Sequence, residues 1–238
     1  MSEGIPSESS TAATGRPLWA AVARGLVVIL MPVVLVLTNV RLLLTPAFVQ
    51  LEYRVPGFPA EPYGFTREDR VYWATIALEY LLNDAGREFL GDLRFDSGTP
   101  VYNEPELRHM EDVKRLTQAA LKVWIGGLVV VGVMLAGMLL AGRGHDARSA
   151  LLAGSRLTLV LMAILGIGLV VGFGFVFVGF HRIFFEGDTW RFLYSDTLIR
   201  LFPERFWQDV FALIAGGTLV EAGAIYLAAR RRTARPKA

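Results

Sequence analysis

The sequence predicts an all-α membrane protein with four transmembrane helices and a small extracytoplasmic, mainly helical domain between the first and second of them. Hydrophobic residues make up 53% of the chain and charged residues only 19%, and the mean hydropathy is +0.44. A soluble domain of 238 residues cannot hide that much apolar surface. A bilayer core of about 30 Å requires about 20 apolar residues per helix. Four stretches satisfy this requirement, and the expected spans are residues 18–44, 117–142, 157–180 and 207–229.

The positively charged residues predict how these spans are oriented. Lys and Arg cluster near the start of the first span, in the connection 143–156 and in the basic tail 230–238. By the positive-inside rule, both termini and this connection are expected in the cytoplasm, and residues 45–116 and 181–206 outside it. Residues 1–17 are expected to form a disordered cytoplasmic tail. The net charge of +2 then reflects topology, and no nucleic-acid partner is expected.

The extracytoplasmic domain is predicted to contain two helices. Thr66, followed three residues later by Asp69, has the spacing of a capping box and starts a helix that extends to about residue 83. Asn103 is the expected N-cap of a second helix, which continues toward the second span. Between the two helices, a turn signal within residues 87–103 predicts a small hairpin.

The first candidate catalytic group is His109 on the second predicted helix. Asp112 lies three residues later and faces the same way, so its carboxylate can fix the tautomer of the imidazole or raise its basicity. A histidine with an orienting carboxylate is the minimal general-base unit. The alternative is an ordinary solvated helix face, because several charged residues share the neighbourhood.

The second candidate is His181, which directly follows the third span and stands among aromatic residues. Aromatic rings and cationic stems favour the lipid headgroup layer, but histidine has no such general preference. The alternative is a histidine that caps the negative end of a helix dipole. The chain has three histidines, and two of them are expected on the outer side, which favours a site. His145 falls in the cytoplasmic connection and is interpreted as a solvated loop residue.

Two further features limit the chemistry. The chain has no cysteine, which excludes disulfides, a thiolate nucleophile and a cysteine metal site. Glu221 lies inside the fourth span, where an ionisable group is costly. It either has a function or pairs with Arg230 near the inner boundary.

The chain resembles the lipoprotein intramolecular transacylases, a family of four-span bacterial membrane proteins. The resemblance covers about residues 20 to 230 and rests on the layout together with three groups of residues. These are Pro62-Tyr63-Gly64-Phe65-Thr66; Glu106-Leu107-Arg108-His109-Met110-Glu111-Asp112-Val113-Lys114; and Phe180-His181 with Phe184, Phe185, Trp190, Thr197-Leu198, Pro203 and Phe206-Trp207.

The resemblance implies an acyltransferase that moves the sn-2 acyl chain of a lipoprotein's diacylglyceryl group to the α-amine of its N-terminal cysteine, leaving a lyso-form lipoprotein. Because the substrate supplies both ester and amine, the protein needs only a base, an acid and stabilisation of the oxyanion. His109 and His181 are expected to be the base and the acid, in either order, with Asp112 as the orienting group.

Six more residues are expected to bind the substrate, the arginines at its oxygen atoms and the aromatic residues around it. They are Arg41, Arg182, Arg191, Phe184, Phe185 and Trp190. Diacylglyceryl-modified lipoproteins and membrane lipids are the expected partners, a monomer is the expected state, and no cofactor or metal is expected. The expected location is the bacterial cell membrane, with an extracytoplasmic catalytic face. The alternative is a non-enzymatic membrane protein that binds lipid or peptide at the same surface.

Overall fold

The structure, a computed structural model, describes residues 17–187 and 189–231. The disordered tail expected at residues 1–17 therefore lies, except for Pro17, outside the described residues, as does the basic tail beyond Arg231. The described chain contains eight helices. They are α1 Leu18–Leu43, α2 Pro46–Glu52, α3 Arg67–Leu82, α4 Glu88–Gly91, α5 Glu104–Leu140, α6 Gly144–Phe184, α7 Thr197–Leu201 and α8 Glu204–Arg231.

Four of these helices, α1, α5, α6 and α8, are long and apolar enough to cross a membrane. The predicted fold class, an all-α membrane protein with four spans, is confirmed. α5 has 37 residues and α6 has 41, whereas about 20 residues cross a bilayer. Both helices are therefore longer than the lipid requires. The first turns of α5 belong to the helical domain, whereas α6 begins at Gly144, so the connection expected at residues 143–156 is largely helical.

The other three long helices pack around α1, which contacts α5, α6 and α8. Small side chains and glycine allow these close approaches. At Gly154 of α6, for example, an added Cβ would lie 2.9 Å from the sulfur of Met31 in α1. A core of buried aliphatic residues fills the end of the bundle where α5 turns into α6. It consists of Ala23, Val27, Met31, Met138, Ala147 and Ala150.

A small helical domain lies at the other end and combines α2, α3, α4, α7 and the first turns of α5. Both predicted helix starts are confirmed. Thr66 Oγ1 accepts a hydrogen bond from the Asp69 amide at 3.1 Å, and Asp69 Oδ2 accepts one from the Thr66 amide at 2.9 Å. Asn103 forms the corresponding capping box with Glu106. The domain core includes Tyr80, Leu90, Val101, Leu107 and Leu201.

The hairpin predicted within residues 87–103 is wrong in its strands, although its turn is present. Residues 88–91 form the short helix α4, and a single antiparallel bridge joins Arg94 to Pro100. The Gly98 amide donates to the Phe95 carbonyl at 2.8 Å, and Gly98 has a φ of 82°. The Phe95 amide donates to the Thr99 carbonyl at 2.9 Å and the Val101 amide to the Leu93 carbonyl at 3.1 Å, so two ladder bonds flank this single bridge.

Candidate active site

The two expected catalytic histidines meet where the helical domain joins the bundle. His109 lies in the second turn of α5 and His181 in the last turn of α6, 72 residues later. Because α5 and α6 are joined by a short turn and run antiparallel, the start of one lies beside the end of the other. The imidazole centroids are 6.1 Å apart and the ring planes differ by 20°. The prediction that these side chains approach each other is confirmed. His145 lies in the first turn of α6, at the opposite end of that helix.

Aromatic rings surround the pair. The centroid of His181 lies 4.1 Å from that of Phe177 and 4.8 Å from that of Trp190. His109 lies 5.3 Å from Phe192. Phe185 contacts both histidines, at 5.0 Å from His109 and 5.4 Å from His181. The histidines therefore stand in a site whose walls are largely apolar.

A backbone hydrogen bond fixes the orientation of His181. Its Nδ1 lies 2.8 Å from the carbonyl oxygen of Phe177, one turn earlier in α6. A carbonyl can only accept, so Nδ1 carries the hydrogen, and in the neutral ring Nε2 is left with a free lone pair. This lone pair is therefore the group of His181 that can accept a proton from a bound molecule. The side chain is 8% exposed, so it is shielded from bulk solvent.

His109 lacks such a partner at its own Nδ1. This atom is buried and makes no hydrogen bond within the described part of the chain. The imidazole is held by ring contacts to Phe185, Phe192 and His181 instead. Two imidazoles this close in an apolar site do not both carry charge at low cost, and a general base has to be neutral before it acts.

The expected contact between Asp112 and His109 does not form. Asp112 Oδ1 lies 3.2 Å from Arg115 Nη1, and the same guanidinium lies 3.0 Å from Glu111 Oε1. On a helix, Asp112 can reach a partner three residues before it or three after it. The full charge of Arg115 attracts the carboxylate toward solvent, while the ring of His109 turns toward the aromatic residues. Asp112 is therefore not an orienting group in this structure.

The three expected arginines differ in their position relative to the histidines. Arg182 is exposed and directly follows His181. The guanidinium of Arg191 lies 5.7 Å from the ring centroid of Trp190, which itself contacts His181. Arg41 lies in the last turn of α1, where its Nη1 is 3.5 Å from the Leu44 carbonyl. That contact does not connect Arg41 to the histidines.

The expected aromatic residues are also placed at the site, at different depths. Phe185 is buried and Trp190 is half-buried, and both contact a histidine. Phe184 is 49% exposed and packs on Phe180 at 4.8 Å, so it belongs to the outer edge. Among the described residues, no group of three or more His, Asp or Glu side chains lies close enough to hold a metal ion.

Sequence reasoning missed three residues that the structure brings to the site or next to it. Phe177 lies four residues before His181, a helical spacing that could have identified it. Phe192 reaches His109 from a loop, and no local pattern predicts that contact. Glu106 fits the capping-box spacing from Asn103, but its near-complete burial depends on packing against α7.

Comparison with known proteins gives a family for the chain. Residues 25–207 match the family model described as lipoprotein intramolecular transacylase Lit. A protein from Aquifex aeolicus (strain VF5), described as uncharacterized, is 30% identical over 191 residues, which are 80% of this chain and 85% of the relative.

Two solved structures have a similar fold. The in meso structure of the membrane integral lipoprotein intramolecular transacylase Lit from Bacillus cereus gives a TM-score of 0.67 at 17% identity, covering 90% of this chain and 97% of that one. A variant of the Bacillus cereus protein with one histidine changed to arginine gives a TM-score of 0.68 at 19% identity, covering 91% and 95%.

Proposed function

The chain belongs to the lipoprotein intramolecular transacylase family, and from that premise we propose that His109 and His181 are the acid–base pair of its reaction. Members of this family are multi-pass membrane acyltransferases that act on lipoproteins. Membership therefore excludes the alternative of a non-enzymatic protein that only binds lipid or peptide. The observation that carries the proposal is the pair of facing imidazoles, 6.1 Å apart within an aromatic enclosure. Both histidines come from one chain, so the proposed site is complete in a monomer.

In the proposed reaction, the neutral α-amine of the N-terminal cysteine attacks the carbonyl carbon of the sn-2 ester on its own diacylglyceryl group. A C–N bond forms, an electron pair moves onto the carbonyl oxygen, and the amine gives a proton to one histidine. The intermediate then collapses, the ester C–O bond breaks, and the histidine pair returns this one proton to the leaving glyceryl oxygen, so that the two imidazoles are never charged together. The products are an amide and a lyso-glyceryl group on the same lipoprotein.

The separation of the two imidazole rings suits these proton transfers. The attacking nitrogen and the leaving oxygen are bonded to one carbon in the intermediate, so acid and base have to reach neighbouring atoms. Each needs a hydrogen-bond distance of about 2.6–3.2 Å. Rings with centroids 6.1 Å apart allow one tetrahedral centre to contact both. His181 would act through Nε2, because its Nδ1 is occupied by the Phe177 carbonyl.

The remaining site residues have complementary proposed roles. Phe184, Phe185 and Trp190 would pack on the acyl chains and exclude water, so that hydrolysis of the ester does not compete with transfer. Arg182 and Arg191 are the proposed ligands of the oxyanion or of an ester oxygen, where a preorganised donor is effective. Membrane lipids would fill the apolar edge of this surface when no lipoprotein is bound.

We also propose that the site faces the extracytoplasmic side of the bacterial cell membrane. Basic residues gather at the end of the bundle remote from the histidines. Arg24 Nε donates to Ser149 Oγ at 3.1 Å, and Arg148 Nε donates to the Ala229 carbonyl at 2.7 Å. By the positive-inside rule, that end and both termini would lie in the cytoplasm.

The test is the position of one acyl chain on a lipoprotein co-expressed with this protein in a host that has no N-acylating enzyme. Intramolecular transfer does not change the mass, so tandem mass spectrometry of the N-terminal lipopeptide has to locate the acyl chain on the amine. The wild type should give the lyso form. A double variant, His109→Ala with His181→Ala, should leave the amine free. Lyso product from the double variant would refute the histidine mechanism.

A further inference from the structure

Glu106 is a buried carboxylate one turn before His109, and the reaction proposed above does not use it. The residue is 1% exposed. One of its oxygens accepts a hydrogen bond from the Asn103 amide at 2.8 Å, and the other accepts one from the Leu198 amide of α7 at 2.7 Å. A capping box needs only the first of these bonds. The second connects the first turn of α5 to α7.

A second connection runs beside the first. Asn103 Nδ2 donates to Asp196 Oδ1 at 3.2 Å, and Asp196 Oδ2 accepts from the Leu193 amide at 2.8 Å. Leu193 directly follows Phe192, whose ring contacts His109. We call residues 189–196 the aromatic loop. Together, these hydrogen bonds connect the first turn of α5 to α7 and to the aromatic loop. The ring of Phe192 in that loop contacts His109 in the second turn of α5.

Burial makes the bond from Glu106 to α7 sensitive to substitution. The carboxylate stands against the core of the helical domain, where Leu107, Leu198 and Leu201 are buried. A carboxylate is costly to bury unless donors satisfy it, and here backbone amides of two segments do so. Losing it would leave at least one of these amides unpaired in the core.

We propose that Glu106 is a positioning residue, which holds α7 and the aromatic loop against the start of α5 so that Phe192 and Trp190 close around the histidines. The proposal rests on the acid–base function proposed for those histidines. Glu106 acts through the loop and has no contact with the reacting atoms. Helix capping alone would require neither the bond to Leu198 nor a buried carboxylate.

The test uses Glu106→Gln in the purified full-length protein. The amide has nearly the same shape, but its single oxygen can satisfy only one of the two backbone amides. We expect faster hydrogen exchange at residues 189–196 and a loss of about 10-fold to 100-fold in kcat for a diacylglyceryl lipopeptide, with a smaller change in KM, because misplacement of a site wall weakens catalytic geometry.

The matched control is Lys114→Met on the same helix. Lys114 is also buried, and its Nζ donates to Asn83 Oδ1 at 3.0 Å and to the Ala85 carbonyl, away from the histidines. This variant should lower Tm while leaving exchange in the aromatic loop and kcat unchanged. An equal loss of kcat in Lys114→Met would reduce the role of Glu106 to general stability and overturn the proposal.

Asp196→Ala tests the same connection from the other side and serves alone if Glu106→Gln does not fold. It should also speed exchange in the aromatic loop and lower kcat, and its effect combined with Glu106→Gln should be less than additive. Wild-type exchange or wild-type kcat in both variants overturns the positioning role. Hydrogen exchange is measured without turnover, so failure of the positioning role can be recognised independently of catalysis. Failure of the proposed function would instead appear as an active His109→Ala, His181→Ala double variant.

Discussion

The Nδ1 atom of His181 is anchored to the carbonyl oxygen of Phe177 at 2.8 Å, within the last turns of α6. Four residues is one helical turn, so the anchor forms inside one element and does not depend on the rest of the fold. This hydrogen bond orients the His181 ring and fixes its tautomer before any substrate binds. His109 has no comparable anchor among the described residues and is positioned by its aromatic neighbours. The two histidines therefore differ in how firmly their nitrogen atoms are held.

Replacing either histidine should remove most of the activity. General acid–base groups contribute about 100-fold to 10,000-fold, so His109→Ala and His181→Ala should each lower kcat by that order. The assay is the rate of lyso-form production by purified enzyme from a diacylglyceryl lipopeptide. His145→Ala is the control, because His145 is exposed at the far end of α6, and it should keep wild-type activity. Normal kcat in either single variant would show that its imidazole is not part of the chemistry.

Asp112→Ala should have little effect on catalysis. The carboxylate pairs with Arg115 at the surface, and an exposed ion pair on a helix contributes little because water screens it. We expect kcat within about threefold of the wild type, measured beside His109→Ala. The reasoning from sequence alone predicts an intermediate loss instead. A loss of about 100-fold, as expected for a catalytic group, would restore Asp112 as the partner of His109.

Glu52 should make the protein less stable as the pH rises. It is 3% exposed in α2, and it lies beside Asp209, whose Oδ2 is 2.6 Å from Arg205 Nε. Burial and the Asp209 carboxylate raise the pKa of Glu52 from 4.5 to about 7, against the opposing charge of Arg205. Because the pKa of Glu52 is higher in the folded state than in the unfolded state, its protonated form stabilises the fold. This contribution is complete below about pH 4.5 and is lost as the pH rises through about 7.

Glu52→Gln should remove this dependence. We expect the variant to gain stability relative to wild type between pH 5 and pH 8, because the wild type loses the contribution of the protonated carboxyl group over this range and the amide does not titrate. Thermal unfolding in detergent across this pH range measures the effect. Glu79→Gln is the control, since Glu79 is exposed on α3. Parallel pH profiles for wild type and Glu52→Gln would contradict the assignment.

Gly217→Ala should destabilise the bundle where α8 meets α1. Asn39 Nδ2 donates to Thr218 Oγ1 at 3.2 Å and to Glu221 Oε2 at 3.0 Å, which gives the intramembrane Glu221 a partner on α1. An added Cβ at Gly217 would lie 2.0 Å from Asn39 Oδ1. Overpacking of this kind costs about 1–3 kcal/mol, and a lower Tm in detergent should report it.

The neighbouring Gly216 provides the control for this substitution. A Cβ there meets nothing within 4 Å, and alanine favours a helix over glycine by about 1 kcal/mol. Gly216→Ala should therefore keep or raise Tm. If both variants lose the same stability, the effect belongs to glycine in α8 generally, and the contact with Asn39 does not explain it.

The fold and the two histidines were predictable because their signals are local or compositional. Long apolar segments define the spans, the capping box at Thr66 and the N-cap at Asn103 define helix starts, and the two histidines expected on the outer side stand out by their scarcity. The contacts of Asp112, Phe192 and Glu106 were not predictable. A helical spacing allows Asp112 several partners, and only the packing of α7 and the aromatic loop determines what Phe192 and Glu106 touch.

The last prediction concerns topology. The chain has no native cysteine, so single cysteines can be introduced at exposed positions at the two ends of the molecule. Ser97 is exposed in the helical domain, and His145 is exposed at the opposite end, near Arg143 and Arg148. Because positive charge is retained on the cytoplasmic side, a membrane-impermeant maleimide should label Ser97→Cys in intact spheroplasts. It should label His145→Cys only after the membrane is permeabilised. The reverse pattern would place the histidines on the cytoplasmic face and contradict the proposed orientation of the enzyme.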